Sequence, residues 1–311
     1  MYTDTAVPKT NDFFAGGESC TSKACPGAYM LEWNGTSWSQ MTLPKLLNAT
    51  DIDGVSASSA DNAWAVGQSC NYVTYACNVL ILHWNGTSWS QVKIPKLAHT
   101  YPDLYTVADV STTDTWAGGS SFSGALALNW NGRSWHEVPI PAGAGYTEAI
   151  TSIAHIPGTS EIWALMAASG GYFAMKWNGT SWRGFALPRK PVLKDVSAVA
   201  SSSVTNAWVV GNSYSRSGTE PSFTAHWNGR DWTTVPAPSP GPDNELFSVT
   251  SPSDESATAV GVTFSPFEPN LAKGLVYQWN GTAWSRQKVP TPVVPSAGTR
   301  EARKLTEARK F

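Results

Sequence analysis

Five carboxylates occupy nearly matching places along this chain of 311 residues. Asp51, Asp103, Asp195 and Glu245 each stand four residues before an apolar residue, at Val55, Val107, Val199 and Val249. Glu148 stands five residues before Ile153. Carboxylates delivered to one place by repeated segments could hold a hard cation such as calcium. They could equally accept hydrogen bonds from sugar hydroxyls, with Tyr105 and Tyr146 close enough in sequence to stack on a sugar ring. A pair of them could also act as acid and base in glycan hydrolysis or elimination. Asp and Glu also favour turns, so the plain alternative is a set of solvated side chains at strand starts.

The four cysteines form a second group: Cys20 with Cys25, and Cys70 with Cys77. Both segments open alike, GESC and GQSC, and both close on Ala-Cys. This argues for two local disulfides, Cys20–Cys25 and Cys70–Cys77, and for an oxidising compartment. A four-cysteine zinc site is the alternative, although gaps of four and six residues differ from the usual Cys-x2-Cys pairs. No Gly-x-Ser-x-Gly nucleophile and no phosphate-cradling glycine loop is present. His83 and His226 precede a repeated Trp, at a place where other repeats carry Glu32, Asn129, Lys176 and Gln278. That variability reads as a solvated position. His155 lies in a strand and reads as structural.

The elements that must position these groups are repeats. The pattern Trp-Asn-Gly-x-x-Trp occurs six times, starting at Trp33, Trp84, Trp130, Trp177, Trp227 and Trp279. Twelve of the 16 tryptophans belong to it. The other four, Trp64, Trp116, Trp163 and Trp208, lie in an upstream motif such as DNAWAVG. In the remaining two repeats Phe14 and Thr258 take that place. The tryptophans are therefore a property of the repeat and need no aromatic active site.

Residues 51–98 show what one repeat builds. DIDGVSASS, NAWAVGQS, NVLILHW and SWSQVKIP read as four strands, the last stopped by a proline. Asn85-Gly86 supplies the tight hairpin between the third and fourth, with Trp84 and Trp89 as a cross-strand pair. Helical solenoids are excluded, because no 3.6-residue apolar period exists and Asn-Gly and Pro punctuate every unit. The expected fold is all-β: a six-bladed β-propeller of four-stranded antiparallel blades. The blades should span about 1–48, 49–98, 99–144, 145–190, 191–240 and 241–295. Each repeat contains its own four strands, so the ring is expected to close by side-chain packing between blades one and six. Residues 296–311 form a charged tail that could make a short helix.

The WNGTSW units resemble those of bacterial secreted WNG-type tandem-repeat β-propellers. The hairpin is also similar to the Asp-box of sialidase-like propellers, although Trp stands where the Asp-box aspartate would be. A looser likeness links the repeats to propeller lectins. These resemblances imply fold more than function. A sialidase-like site would need arginines on inner strands, whereas Arg133, Arg183, Arg216 and Arg230 fall on hairpins, outer strands and loops. That activity is therefore rejected.

Differences among repeats indicate where function sits. From the second-strand aromatic, or its substitute, to the hairpin Trp the counts are 19, 20, 14, 14, 19 and 21 residues. The long links belong to blades five, six, one and two, which are neighbours in a ring. They emerge on the face that carries the blade-to-blade links, here termed the top. A lopsided wall around an acidic mouth is the expected site: Asp51, Asp103, Tyr105, Tyr146, Glu148, Asp195 and Glu245. Surface loops also drift in length without consequence.

A net charge of −2 with no basic run in the repeats argues against nucleic acid. No apolar stretch reaches the length of a membrane span. No secretory leader is visible, which reads as a mature or trimmed start. The expected function is a secreted or surface-exposed binding module, with carbohydrate the favoured ligand class. An extracellular lyase or glycoside hydrolase is the rival, and a structural spacer the third reading. The partner would be a glycan or another extracellular ligand, with no cofactor unless calcium. Oligomeric state is not legible.

Overall fold

The computed structural model describes residues 3–7, 10–19, 27–46, 49–71, 73–74, 76–94, 97, 101–141, 147–265 and 268–289. Six antiparallel sheets follow one another along the chain, each built from one repeat. Blade one holds Thr3–Ala6, Asp12–Ser19, Gly27–Asn34 and Trp38–Met41. Blade two holds Asn62–Cys70, Cys77–Trp84 and Trp89–Gln91, with a first strand split into Ala49–Thr50 and Gly54–Ser59. Blade three holds Asp103–Ser111, Asp114–Ser121, Gly124–Trp130 and Trp135–Glu137. Blade four holds Thr147–His155, Ile162–Ala168, Gly171–Trp177 and Trp182–Ala186. Blade five holds Val192–Ser203, Asn206–Tyr214, Ser222–Trp227 and Trp232–Thr234. Blade six holds Asp243–Ser253, Ser256–Ser265, Glu268–Trp279 and Trp284–Arg286. The architecture is the six-bladed propeller read from the repeats. The proposed C-terminal tail lies outside the described residues.

Each hairpin between third and fourth strands is set by its Asn-Gly pair. Gly86 takes φ +90°, a conformation that a side chain would strain. The Asn85 carboxamide oxygen accepts hydrogen bonds from the backbone N–H groups of Thr87 and Ser88, both at 3.0 Å. The same bonds recur from Asn34, Asn131, Asn178, Asn228 and Asn280. The turn brings the two tryptophans of each pattern opposite one another, as in Trp84 against Trp89.

The blades are joined by aromatic packing with a fixed rule. The second-strand aromatic of one blade inserts between the hairpin tryptophans of the next. Trp64 lies 5.1 Å from both Trp130 and Trp135. Trp116 meets Trp177 and Trp182, Trp163 meets Trp227 and Trp232, and Trp208 meets Trp279 and Trp284. Phe14 does the same with Trp84 and Trp89. Around these rings five buried clusters each join one consecutive pair of blades.

The closure differs from expectation. The first strand does pair within its own blade, with Thr3 opposite Gly16 and Ala6 opposite Phe13. Among the described residues, however, no buried cluster joins blade six to blade one. Thr258 stands where the other five blades carry an aromatic, so it offers Trp33 and Trp38 no ring. Among the described residues their ring contact is with each other, at 5.7 Å. Trp38 is consequently 49% exposed, whereas its five counterparts are 8% exposed or less.

The packing rule makes a prediction. Trp64→Ala and Trp135→Ala should each cost about 3–5 kcal/mol. Because the rings touch, the double variant should fall short of the sum by ~1 kcal/mol in urea unfolding. Strict additivity would contradict the three-ring contact.

Candidate functional site

The first strand of each blade starts at the top face, and backbone register fixes which residue stands there. Ala49 pairs with Cys70, so Asp51 follows directly beside the disulfide-closed link of blade two. Asp103 pairs with Ser120, Asp195 with Asn212 and Glu245 with Val262, each at the matching level of its own blade. All four therefore begin on the same face as the variable links. A glycine in the neighbouring second strand lets the backbone come so close. A Cβ on Gly67 would lie 2.1 Å from the Asp51 carbonyl oxygen, and one on Gly119 would lie 2.0 Å from that of Asp103. Blade four departs from this. Met166 replaces the glycine, Ala149 takes the register place of Asp103, and Glu148 falls at an irregularity between Thr147 and Ala149. The Glu148 side chain and all of Tyr146 lie outside the described residues.

The variable links are built in several ways. In blades three and four they are two-residue hairpins, Phe122-Ser123 and Ser169-Gly170. In blade six the added length continues the strands, with Phe264 opposite Ala272. In blade two, Cys70 and Cys77 are opposite one another and disulfide-bonded. In blade five the hydroxyls of Ser215, Ser217 and Thr219 bond to one another across the link. The pairing Cys20–Cys25 lies outside the described residues. The Cys70–Cys77 bond itself excludes a four-cysteine zinc site.

The acidic residues are not a symmetric ring. On blades one to three, Asp51 and Asp103 are joined by Glu18 and Asp53, close enough to act on one another. Asp51 is raised to about 6 by burial, by the negative charge of Glu18, by a hydrogen bond shared with Glu18 and by Asp103. Asp53 is raised to about 7 by burial and by the charges of Asp103, Asp51 and Glu18. Burial also raises Asp103, against a hydrogen bond from the Leu104 N–H. Its Oδ1 atom is buried and has no hydrogen-bond partner among the described residues. On the other side of the mouth a lysine stands among the carboxylates. Lys194 pairs with Glu220, and its pKa is raised by that bond and by nearby Glu245 and Tyr214. Asp195 is exposed and accepts a hydrogen bond from the Val196 N–H.

The carboxylates share a neighbourhood without forming a cation cage. Among the described residues no three His, Cys, Asp or Glu side chains converge as a metal-holding group. Tyr105 is half-buried and its hydroxyl bonds to Ser120 at 2.6 Å. The exposed aromatics of the top face are instead Tyr101, Phe122 and Tyr214. Sequence reasoning missed Glu18 and Asp53 by allowing one carboxylate per repeat. The Asp-Ile-Asp run at residues 51–53 carried the signal for Asp53.

The opposite face holds polar networks with a structural purpose. Asp109 accepts hydrogen bonds from the Ser58 N–H, the Asn62 side chain and the Thr115 hydroxyl, tying blade two to blade three. Burial raises it to about 6 despite those bonds. His83 bonds to Asn62 and stacks on Trp64 at 4.3 Å. His226 repeats this with Asn206 and Trp208. The expectation of a solvated position is thereby corrected: both imidazoles roof a buried Trp, and burial lowers both pKa values.

The titration of Asp53 has a definite sign. Unfolded, its carboxyl titrates near 3.8; folded, near 7. Between those values the folded chain keeps a proton the unfolded chain has lost, so this group's contribution to stability falls as pH rises from about 4 to about 7. Asp53→Asn should therefore melt a few degrees above wild type near pH 8, with the difference vanishing near pH 4. Equal melting temperatures at both pH values would show that Asp53 is fully solvated.

No protein-family model and no curated protein matches the chain. Solved structures do, as β-propellers. YCF48 from Cyanidioschyzon merolae superposes with a TM-score of 0.55 at 16% identity, covering 96% of this chain and 86% of that one. An ulvan lyase of polysaccharide lyase family PL25, bound to -[GlcA(1-4)Rha3S]-, gives 0.55 at 10% identity, covering 91% and 81%. A protein of unknown function from Dyadobacter fermentans gives 0.56 at 9% identity, covering 89% and 94%. At such identities the likeness establishes the propeller fold alone.

Proposed function

We propose that this chain is a secreted or surface-exposed binding module whose top face takes a polyhydroxylated ligand, a glycan by chemical class. One observation carries the reading: Glu18, Asp51, Asp53 and Asp103 gather on blades one to three, where burial and mutual charge raise Asp51 to about 6 and Asp53 to about 7. Raised in this way, the Asp51 and Asp53 carboxyls can donate as well as accept hydrogen bonds, which suits sugar hydroxyls. A fully ionised group could only accept. The unpartnered Asp103 Oδ1 is an acceptor that a ligand hydroxyl would satisfy. Tyr101 and Phe122, exposed on the same face, offer rings for a sugar to stack on. Asp195 and Glu245 belong to the far rim, beside Lys194. The Cys70–Cys77 disulfide supports an oxidising compartment. Among the described residues no helix is long and apolar enough to cross a membrane.

A second reading has its own support. A half-buried carboxyl at about 7 is suited to move protons at neutral pH, so Asp53 could act as the acid or base of a glycan-active enzyme. A solved propeller of this architecture, the ulvan lyase, acts on a polysaccharide, which makes that reading worth testing.

A glycan array at about pH 5.5 and about pH 7.5, followed by calorimetry on the hits, separates these outcomes. Binding without cleavage, weakened at least tenfold by Asp53→Ala and Asp103→Ala, supports the module. Product formation that Asp53→Asn abolishes moves the assignment to an enzyme. Binding unaffected by both variants overturns the site, and no binding to any glycan leaves a structural spacer.

A further inference from the structure

Blade six and blade one each present an apolar face that the other does not cover. On blade six, Val260 is 41% exposed, whereas its counterparts Val66, Leu165 and Val210 are at most 1% exposed. On blade one, Phe13 is 39% exposed, whereas its counterparts Ala63, Ile162, Ala207 and Ala257 are at most 1% exposed. Leu31 is partly exposed where Leu82 of blade two is fully buried. Beside them lie Trp33 and Trp38, the one hairpin pair without an inserted ring. Exposed apolar side chains grouped in this way mark an interaction surface.

The two faces are the two different halves of the contact that this chain makes five times. Blades one to five have a leading face with the second-strand aromatic, joined two places on by Val66, Leu165 or Val210 in blades two, four and five and by a glycine in blades one and three. Every blade also has a trailing face, with the hairpin tryptophans and apolar residues of strands two and three. At the seam, blade one offers a trailing face that lacks its aromatic. Blade six offers a leading face with Thr258 in place of the ring. Whatever fills the seam must therefore bring an aromatic to Trp33 and Trp38, and an apolar trailing face to Val260. It must also supply both from opposite sides of one thin element. A four-stranded blade does this by construction, as each interior blade of the chain demonstrates.

We infer that the seam between blades six and one is the seat of a seventh blade of the same repeat chemistry, carrying a Trp or Phe in its second strand. Direct contact between blades six and one would leave Trp38 against a threonine. A second copy of the chain is a poorer fit, because all its interior blades are already engaged on both faces and only its own seam faces are free. The inference is independent of the glycan reading, since it concerns the sides of two blades and not the top face.

The test appends a copy of residues 99–144, blade three, after residue 290. The seven-blade chain is expected to be monomeric and to melt several degrees above the parent. In the parent, Trp38→Ala should lower the melting temperature little; in the seven-blade chain it should lower it at least twice as far. Trp116→Thr in the appended copy alone should remove most of the gain. A folded seven-blade chain no more stable than the parent overturns the inference. Should that chain fail to fold, the parent decides through acrylamide quenching compared with Trp38→Phe. A strongly quenched Trp38 component in the monomeric parent supports an open seam. A shielded Trp38 means that the ring closes on itself, or that two copies meet if light scattering shows a dimer, and either result refutes the seventh blade.

Discussion

Everything in this fold depends on one contact, an aromatic ring of one blade inserted between two tryptophans of the next. A blade of four short strands has little core of its own, and its two flat faces must be buried by neighbours. The inserted ring accomplishes that at the outer part of each interface, at centroid distances of 4.7–5.9 Å. The contact is not free of cost. Eight buried indole N–H groups, among them Trp64, Trp135 and Trp208, have no hydrogen-bond partner among the described residues. Leaving such a group unpaired costs about 1–3 kcal/mol. Burying 150–250 Å² of ring returns roughly 4–6 kcal/mol at about 25 cal/mol per Å². Packing therefore outweighs desolvation, and the interface can do without polar partners for those indoles.

The same regularity explains the top face. Because blades stack at fixed spacing, their first strands deliver equivalent residues to equivalent places. The second-strand glycine then sets how close the backbones come. Gly67, Gly119, Gly211 and Gly261 all sit against the carbonyl of an acidic residue. Met166 occupies that position in blade four, and there the carboxylate shifts by one residue. The acidic positions are thus a consequence of scaffold geometry on which function can be written. On blade five Lys194 pairs with Glu220. Where Asp53 and Glu18 are added, carboxylates accumulate in a half-buried place, and Asp51 and Asp53 respond by holding their protons to higher pH.

The opposite face shows the contrasting use of polar groups. His83, Asn62 and Asp109 form a chain of bonds that roofs a tryptophan and crosses to the next blade. Its polar side chains bond to one another and to the neighbouring blade, and its residues are spent on cohesion. The top-face carboxyls have fewer partners, with Asp103 Oδ1 having none among the described residues. That difference in satisfaction, more than any sequence motif, separates the face available to a ligand from the face that holds the ring together.

The repeat, the strand count, the hairpins and the Cys70–Cys77 pair were all readable in the chain, because each rests on local chemistry. Asn-Gly needs a tight turn whatever surrounds it, and Trp-x4-Trp pairs across that turn by register alone. The asymmetry of the acidic mouth was not readable in this way. Asp53 acquires its meaning from Asp103, fifty residues away, and from burial between blades that no single repeat reveals. The same is true of His83, which sits at a variable position in sequence yet covers a buried ring. The open seam was half legible: Thr258 broke the aromatic pattern, but one substitution cannot say whether two faces meet. That depends on how six small rotations between blades add up, a property of the whole ring that only the tertiary structure decides.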